Sequence, residues 1–235
     1  MCLITYITVV RNGAAEMEQT IKSILPFVSD TVEYIVIDGE STDGTLEIIK
    51  KYSDRISSWV SERDKGIYDA MNKGLAKARG HFVCFINIGD RLLDCPVAQL
   101  KRIEHTNAAA ISFPVQLSSG KVFKPSFSAR IILENTLHHQ GTYYRKSKMG
   151  TFNLLFKIFA DFDMNQNLFK NKEKVLIDHS LVTSYHSVEG TSQNKKHFNE
   201  IFKVVHKNYG RVFSFFSLVY FKLNYGLINK IRSVK

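Results

Sequence analysis

At 235 residues with 44% apolar and 23% charged side chains, the chain is long enough to bury an apolar core and has the composition of neither a disordered nor a fibrous polymer. Its formal charge of +10 calls for an anionic partner, be it a nucleic acid, an anionic lipid surface or a phosphorylated substrate, without choosing among them. The three cysteines, Cys2, Cys84 and Cys95, lack metal-binding spacing and cannot all pair, so they read as small apolar fillers in a reducing compartment.

The opening run Met1-Cys2-Leu3-Ile4-Thr5-Tyr6-Ile7 has no charged leader and no small-residue cleavage site, which predicts a first strand, Leu3 to Val10, rather than a signal peptide, and a cytoplasmic protein. Met17, Ile21, Ile24 and Leu25 then recur at helical spacing. Glu33 to Asp38 is a second strand, Leu46, Ile49 and Tyr52 share one face of a second helix, and Ser57 to Ser61 is a short third strand. A helix over Gly66 to Arg79 carries the apolar stripe Ile67, Ala70, Met71, Gly74, Leu75 and Ala78, and Gly80 stops it before the strand Phe82 to Asn87. Further on, Ala109 to Gln116 and Val122 to Phe127 read as two strands around a Ser118-Ser119-Gly120 turn, Thr142 to Arg145 as another, and Ala160 to Phe169 as a helix.

Strands alternating with helices predict an α/β fold with a mostly parallel sheet, in which ligands bind beyond the carboxyl ends of the strands. Three polar clusters sit there: Arg11-Asn12, Asp38 to Gly44, and Asn87-Ile88-Gly89-Asp90. Asp38 offers an acceptor-only carboxylate suited to an N–H of a base, whereas Asp43 reads as a helix cap. Glu62-Arg63-Asp64-Lys65-Gly66 is either a solvated turn or an anion site at a helix start. Asp90, at the end of an apolar strand, either caps a turn or binds a hard cation such as Mg²⁺ or Mn²⁺. Asp161 and Asp163 lie two apart near a helix start, so only one of them is expected to face a cleft, which weakens a paired-carboxylate glycosidase reading.

The combination resembles a known family. Val36-Ile37-Asp38-Gly39-Glu40-Ser41-Thr42-Asp43-Gly44-Thr45 resembles the nucleotide-binding stretch of family 2 glycosyltransferases, and Ser61 to Gly74, with Glu62-Arg63-Asp64-Lys65-Gly66-Ile67-Tyr68-Asp69-Ala70-Met71-Asn72-Lys73, is similar to a segment of that family's capsule, O-antigen and colanic-acid branch. The likeness runs from about Thr5 to Asp163 and more loosely to Ser192. It implies a GT-A fold, a Rossmann-like nucleotide-diphospho-sugar transferase whose mixed, mostly parallel sheet is flanked by helices. It also implies a nucleotide-diphosphate sugar as donor, UDP by analogy, and transfer with inversion at the anomeric carbon, aided by Mn²⁺ or Mg²⁺.

Matched position by position, the resemblance places Thr8, Val10, Arg11 and Asn12 against the nucleoside, Asp38 on the base with Glu40 beside it, and Arg63, Asp64 and Asn72 in the segment lining the nucleotide pocket. Asn87 and Gly89 fall on the nucleotide-sugar side, Asp90 at the metal and Asp161 at the catalytic base. His139, Gln140, Asp163 and His186 fall on the sugar or acceptor side, although His139 also fits as a satisfied core histidine and Asp163 as a structural neighbour of the base rather than a helper. The usual acidic metal motif is reduced here to Asn87-Ile88-Gly89-Asp90, Glu40 replaces a residue that is typically small, and Ala160 stands where many members carry an acidic residue.

The expected organisation is a catalytic domain over 1–192, with a nucleotide-binding half 1–95 and an acceptor-binding half 96–192, followed by a basic amphipathic helical tail over 193–235. In the tail Ile201, Phe202, Val205 and Tyr209 recur at helical spacing, then Phe213, Phe216, Val219 and Tyr220, with Lys222, Lys230, Arg232 and Lys235 among and beyond them. The apolar run Val212 to Phe221 is too short to span a bilayer. An apolar face beside cations suits peripheral contact with the inner face of the plasma membrane, near a saccharide acceptor linked to undecaprenyl diphosphate, but also packing on the catalytic domain or a homodimer. A basic nucleic-acid binder is the alternative from another class, against which stands the lack of any helix-turn-helix, zinc or RNP pattern, so no nucleic acid is expected. A catalytically inactive nucleotide-sugar-binding partner is the other alternative.

Overall fold

Ile4–Val10 forms β1, seven consecutive buried residues, which is the pattern of a strand covered on both faces. In chain order follow α1 (Ala14–Ile24), β2 (Val32–Asp38), α2 (Thr45–Lys51), β3 (Ser58–Ser61), α3 (Ile67–Lys77) and β4 (Phe82–Phe85). The second half contains β5 (Arg91–Leu92), α4 (Val97–Ile103), β6 (Ala110–Ser112), β7 (Val115–Leu117), β8 (Val122–Phe123), β9 (Thr142–Arg145), α5 (Lys146–Met149), α6 (Ala160–Lys170), β10 (Val175–Ile177), β11 (Ser184–His186) and α7 (Phe198–Arg232). The computed structural model describes residues 2–187 and 198–232, with side chains over 2–187 and 199–224. The expected domain boundary at 192 and the tail's Lys230, Arg232 and Lys235 side chains lie outside what is described.

Seven strands form the main sheet in the order β10-β6-β9-β4-β1-β2-β3, and β5-β11-β7-β8 form a smaller one. In the main sheet β1 runs parallel to β2 and β4, and β3 parallel to β2, whereas β9 alone runs antiparallel, between β4 and β6. The register sets Val10 opposite Asp38 and Asp38 opposite Ser61, so the first three strands end at one edge. Because side chains alternate along a strand, Ile7, Val9, Ile35 and Ile37 join the core beneath α3, while Tyr6, Val10, Tyr34 and Val36 join the core beneath α1 and α2. Gly74 lets α3 lie close on the sheet: a Cβ there would sit 2.5 Å from the Ile7 Cγ2 methyl.

Two sequence expectations are corrected. The run Ala109 to Gln116 is not one strand. It is β6 in the main sheet and β7 in the small one, separated at Phe113-Pro114, where proline has no N–H to continue a ladder. The tail, expected as a separate unit, is half core: Ile201, Val204 and Val205 of α7 are buried in the same cluster as α6. Glu200 accepts hydrogen bonds from the backbone N–H groups of Lys157, Ile158 and Phe159 at 2.7, 2.7 and 3.0 Å, fastening the tail to the segment that leads into α6. Asp163, read from sequence as a helper on the acceptor side or a structural neighbour of Asp161, ties this tail down. Its buried carboxylate accepts from Lys207 Nζ at 2.8 Å and from Asn208 Nδ2 at 2.8 Å. Replacing Asp163 by Ala is expected to cost about 1–3 kcal/mol, read as a lower urea midpoint, because it strands these donors while Lys207 can still turn to water.

Candidate active site

The strand ends open into a cleft of about 820 Å³ lined by Asn12 and Gly13 after β1, Asn87 to Arg91 after β4, Tyr68 and Met71 of α3, and His139, Gln140 and His186. A smaller pocket of about 180 Å³ adjoins it, lined by Phe123, Asn135, Leu137, His138, Phe159 and Asp161 and sharing His139, Ile158 and His186 with the cleft.

Asp90 is delivered by the turn after β4, in which Gly89 adopts φ 83°. The carboxylate is 2% exposed and faces three donors. His186 Nδ1 lies 2.9 Å and the Ser187 N–H 3.1 Å from Oδ1, and Gln140 Nε2 donates to Oδ2. Asn87 and Gln140 line the same cleft, and Gln140 Oε1 and Asn87 Oδ1 are buried with no hydrogen-bond partner. One carboxylate, one imidazole and two unpartnered amide oxygens make a donor set that fits a divalent cation of the Mg²⁺ or Mn²⁺ kind. No cluster of three or more His, Cys, Asp or Glu side chains suited to a metal occurs among the described residues, so further ligands would have to come from a bound phosphate.

Asp161 sits in the first turn of α6, on the wall of the smaller pocket, 8% exposed. Tyr68 Oη, whose one proton is shared between the Ile158 carbonyl at 2.6 Å and Oδ1 at 2.9 Å, and Asn135 Nδ2, which donates to Oδ2 at 2.9 Å, hold the carboxylate, while His139 Nδ1 lies 3.4 Å from Oδ2. A carboxylate only accepts, so the neutral imidazole presents Nδ1–H to Asp161, and its Nε2 then accepts from Asn87 Nδ2 at 2.9 Å. Through His139 the carboxylate is thus joined to the strand end that also carries Asp90. Burial, then the neighbouring His186 and His139, push the pKa of His138 well below the ordinary imidazole value. It is a neutral packing ring, 4.7 Å from the ring of His186.

A second cluster lies on the rim, at the ends of β1 to β3. Asp38 is fully buried and turned inward: Ser61 Oγ donates to it at 2.6 Å and the Ser41 N–H at 3.1 Å. The carboxylate expected to touch a base therefore shapes the loop beneath it. Asn12, at φ 53°, locks that loop to β1, its N–H donating to Ser41 Oγ and its Oδ1 accepting from the Thr42 N–H, each at 2.8 Å. Arg11, Glu40 and Arg63 are exposed around it. Asp64 packs over Gly39, where an added Cβ would lie 2.2 Å from Oδ2. Asp43 bonds Thr45 and the Ala14 N–H, a structural role as read from sequence.

Other expected site residues do not reach the cleft. Thr8 is buried between strands, donating to the Ile86 carbonyl and accepting from Tyr34 Oη, and Val10 is packed in the core under α1. The Asn72 amide is spent on the backbone of Phe152, bonding both its N–H and its carbonyl. Sequence reasoning missed Asn135, which carries no local signal. It passed over Tyr68, which lies inside the Ser61 to Gly74 motif.

This geometry, a parallel-sheet edge with the buried Asp90 in one cavity and Asp161 in the cavity adjoining it, agrees with the comparisons to known proteins. Residues 5–170 match the family model described as glycosyl transferase family 2. The chain belongs to glycosyl transferase family 2. Among curated relatives, it is 30% identical over 199 residues to a PGL/p-HBAD biosynthesis glycosyltransferase of Mycobacterium bovis, covering 77% of this chain and 75% of that one. It is also 34% identical over 92 residues to the putative teichuronic acid biosynthesis glycosyltransferase TuaG of Bacillus subtilis, covering 38% and 36% of the two chains. Among solved structures, S. aureus TarS 1-349 in complex with UDP superposes with a TM-score of 0.69 at 18% identity over 88% of this chain and 65% of that one. The mannosyltransferase PcManGT from Pyrobaculum calidifontis, in complex with GDP-Man and Mn²⁺, gives 0.65 at 14% identity over 98% and 79%. The fold is GT-A, and this glycosyltransferase has relatives in glycan biosynthesis.

Proposed function

We propose that this family 2 glycosyltransferase moves a sugar from a nucleotide-diphosphate donor, UDP-linked in the first instance, to a hydroxyl of a saccharide acceptor with inversion. The observation that carries the proposal is the placement of Asp161: a buried carboxylate held by Tyr68 and Asn135 where the donor-sized cleft meets a smaller pocket. An acceptor hydroxyl entering from the smaller pocket would give its proton to Asp161 as its oxygen bonds the anomeric carbon and the bond to the diphosphate breaks on the opposite side.

The nucleoside would lie over Arg11, Glu40 and Asp64, on the loop shaped by Asp38, and the sugar would extend toward His139 and Gln140. Asp90 and His186, with the Gln140 and Asn87 oxygens, would hold a divalent cation completed by the diphosphate. Such a cation neutralises the charge that develops on the leaving group. Structural relatives crystallised with UDP, with UDP-GlcNAc, and with GDP-Man and Mn²⁺ support a nucleotide-sugar donor.

The test is a donor panel varying base and sugar, scored by calorimetric binding and by nucleotide release with and without Mn²⁺. Binding of no nucleotide sugar would overturn the reading. His139→Ala should lower kcat about 10–100-fold, the value of one hydrogen bond to a charged group. Steady-state kinetics with the best donor of the panel checks it.

A further inference from the structure

The two halves of α7 differ in kind. Up to Tyr209 the helix faces the domain, with Val204 and Val205 fully buried. At Gly210 the backbone leaves helical geometry (φ 85°, ψ −179°), a conformation suited to glycine. Beyond it, Val212, Phe213, Phe215, Phe216, Val219 and Leu223 stand in solvent, Val212 at 66% and Phe215 at 62% exposure, while Ser217 is buried against the domain.

At 3.6 residues per turn, Val212, Phe215, Phe216, Val219 and Leu223 fall on one arc of roughly 100°, on the far side from Ser217. Exposed Arg211 and Lys222 lie together along one border of the arc. Isolated surface apolar residues need no explanation, but a continuous apolar stripe centred on two phenylalanines does. The charge around it selects the occupant: residues 211–235 contain Arg211, Lys222, Lys230, Arg232 and Lys235 and no Asp or Glu. A second copy docked stripe to stripe would bring these cations together, whereas an anionic bilayer would neutralise them while taking the aromatic rings into its headgroup boundary. Among the described residues no helix is long and apolar enough to cross a membrane, so the contact is in the plane of the surface.

The stripe is also tied to the site. On the domain side of the same helix, Ser217 Oγ donates to the Leu133 carbonyl at 2.7 Å and Tyr220 Oη to Glu134 Oε1 at 2.9 Å. The next residue, Asn135, bonds Asp161. We propose that α7 beyond Gly210 lies in the interface of an anionic lipid bilayer through this stripe, with Arg211 and Lys222 at the lipid phosphates, and so brings the pocket at Asp161 to the membrane surface. The second half of that statement rests on the transfer reading above; the first does not.

The test is co-sedimentation of the full chain with vesicles of phosphatidylcholine alone or mixed with phosphatidylglycerol, with no donor or acceptor present. The chain should bind the mixed vesicles preferentially. Phe215→Ser with Phe216→Ser should weaken binding at least about tenfold, and Arg211→Gln or Lys222→Gln about fivefold each. All four positions are exposed, and an unchanged thermal midpoint would show that each variant folds. Absence of binding to anionic vesicles, or equal binding by the Phe215/Phe216 variant, would overturn the proposal. So would a dimer, seen by light scattering, that the same variant dissolves. Because the assay needs no catalysis, its failure leaves the transfer reading standing, and a failed donor panel leaves the lipid contact standing.

Discussion

Asp161→Asn should abolish transfer while leaving donor affinity intact. The substitution keeps the volume of the side chain and one oxygen acceptor for Tyr68 or Asn135, so the pocket at the start of α6 stays formed. What it removes is the basic oxygen that takes the acceptor proton, a loss of about 10²–10⁴-fold in kcat. Calorimetry with the donor and a single-turnover assay with donor and acceptor separate the two effects. A variant that transfers at the wild-type rate would move the base elsewhere. A wild-type chain that binds donor but transfers nothing across an acceptor panel would instead favour a binding partner without activity.

Asp90→Asn should uncouple donor binding from the cation. Each Asp90 oxygen is already engaged, by His186 and Ser187 on one side and Gln140 on the other, and the site is completed by amide oxygens that lack partners. Cation binding here would therefore draw His186 and Asp90 from each other toward the ion, so affinity for the ion alone is expected to be low and to rise when the diphosphate supplies oxygens. Loss of the one carboxylate should cost several kcal/mol of leaving-group stabilisation, on the order of 10²–10⁴-fold in turnover. Mn²⁺ titrations of donor binding should be steep in the parent chain and flat in the variant. Equal Mn²⁺ dependence in both would show that the ion is held without Asp90. Asn also accepts less well from the buried Gln140 and His186 donors, so the thermal midpoint is to be measured alongside.

Much of this was legible along the chain because it is local. The β1-to-β4 alternation, the helix carrying Gly74 and the polar clusters after strands follow from residue periodicity and turn chemistry, which neighbours in sequence settle among themselves. The spacing of Asp161 and Asp163 likewise required that only one face a cleft, since residues two apart on a helix point to different sides. Which one did so was decided by tertiary structure, because the answer depends on Lys207 and Asn208, more than forty residues away, taking Asp163.

The same holds for the rest of the site. That Asp38 turns inward to Ser41 and Ser61, that Asn72 is consumed by Phe152, that Asn135 and Tyr68 hold the base, and that His186 reaches Asp90 are all pairings across distant segments. A hydrogen-bonding side chain has the same donors and acceptors wherever it stands, and only the packed chain determines which of them remain for a ligand. The tail shows the division within one element. Its helical period and its excess of cations were written in residues 198–235, but only packing separated the half before Gly210, buried on α6, from the half beyond it, whose apolar stripe stays exposed.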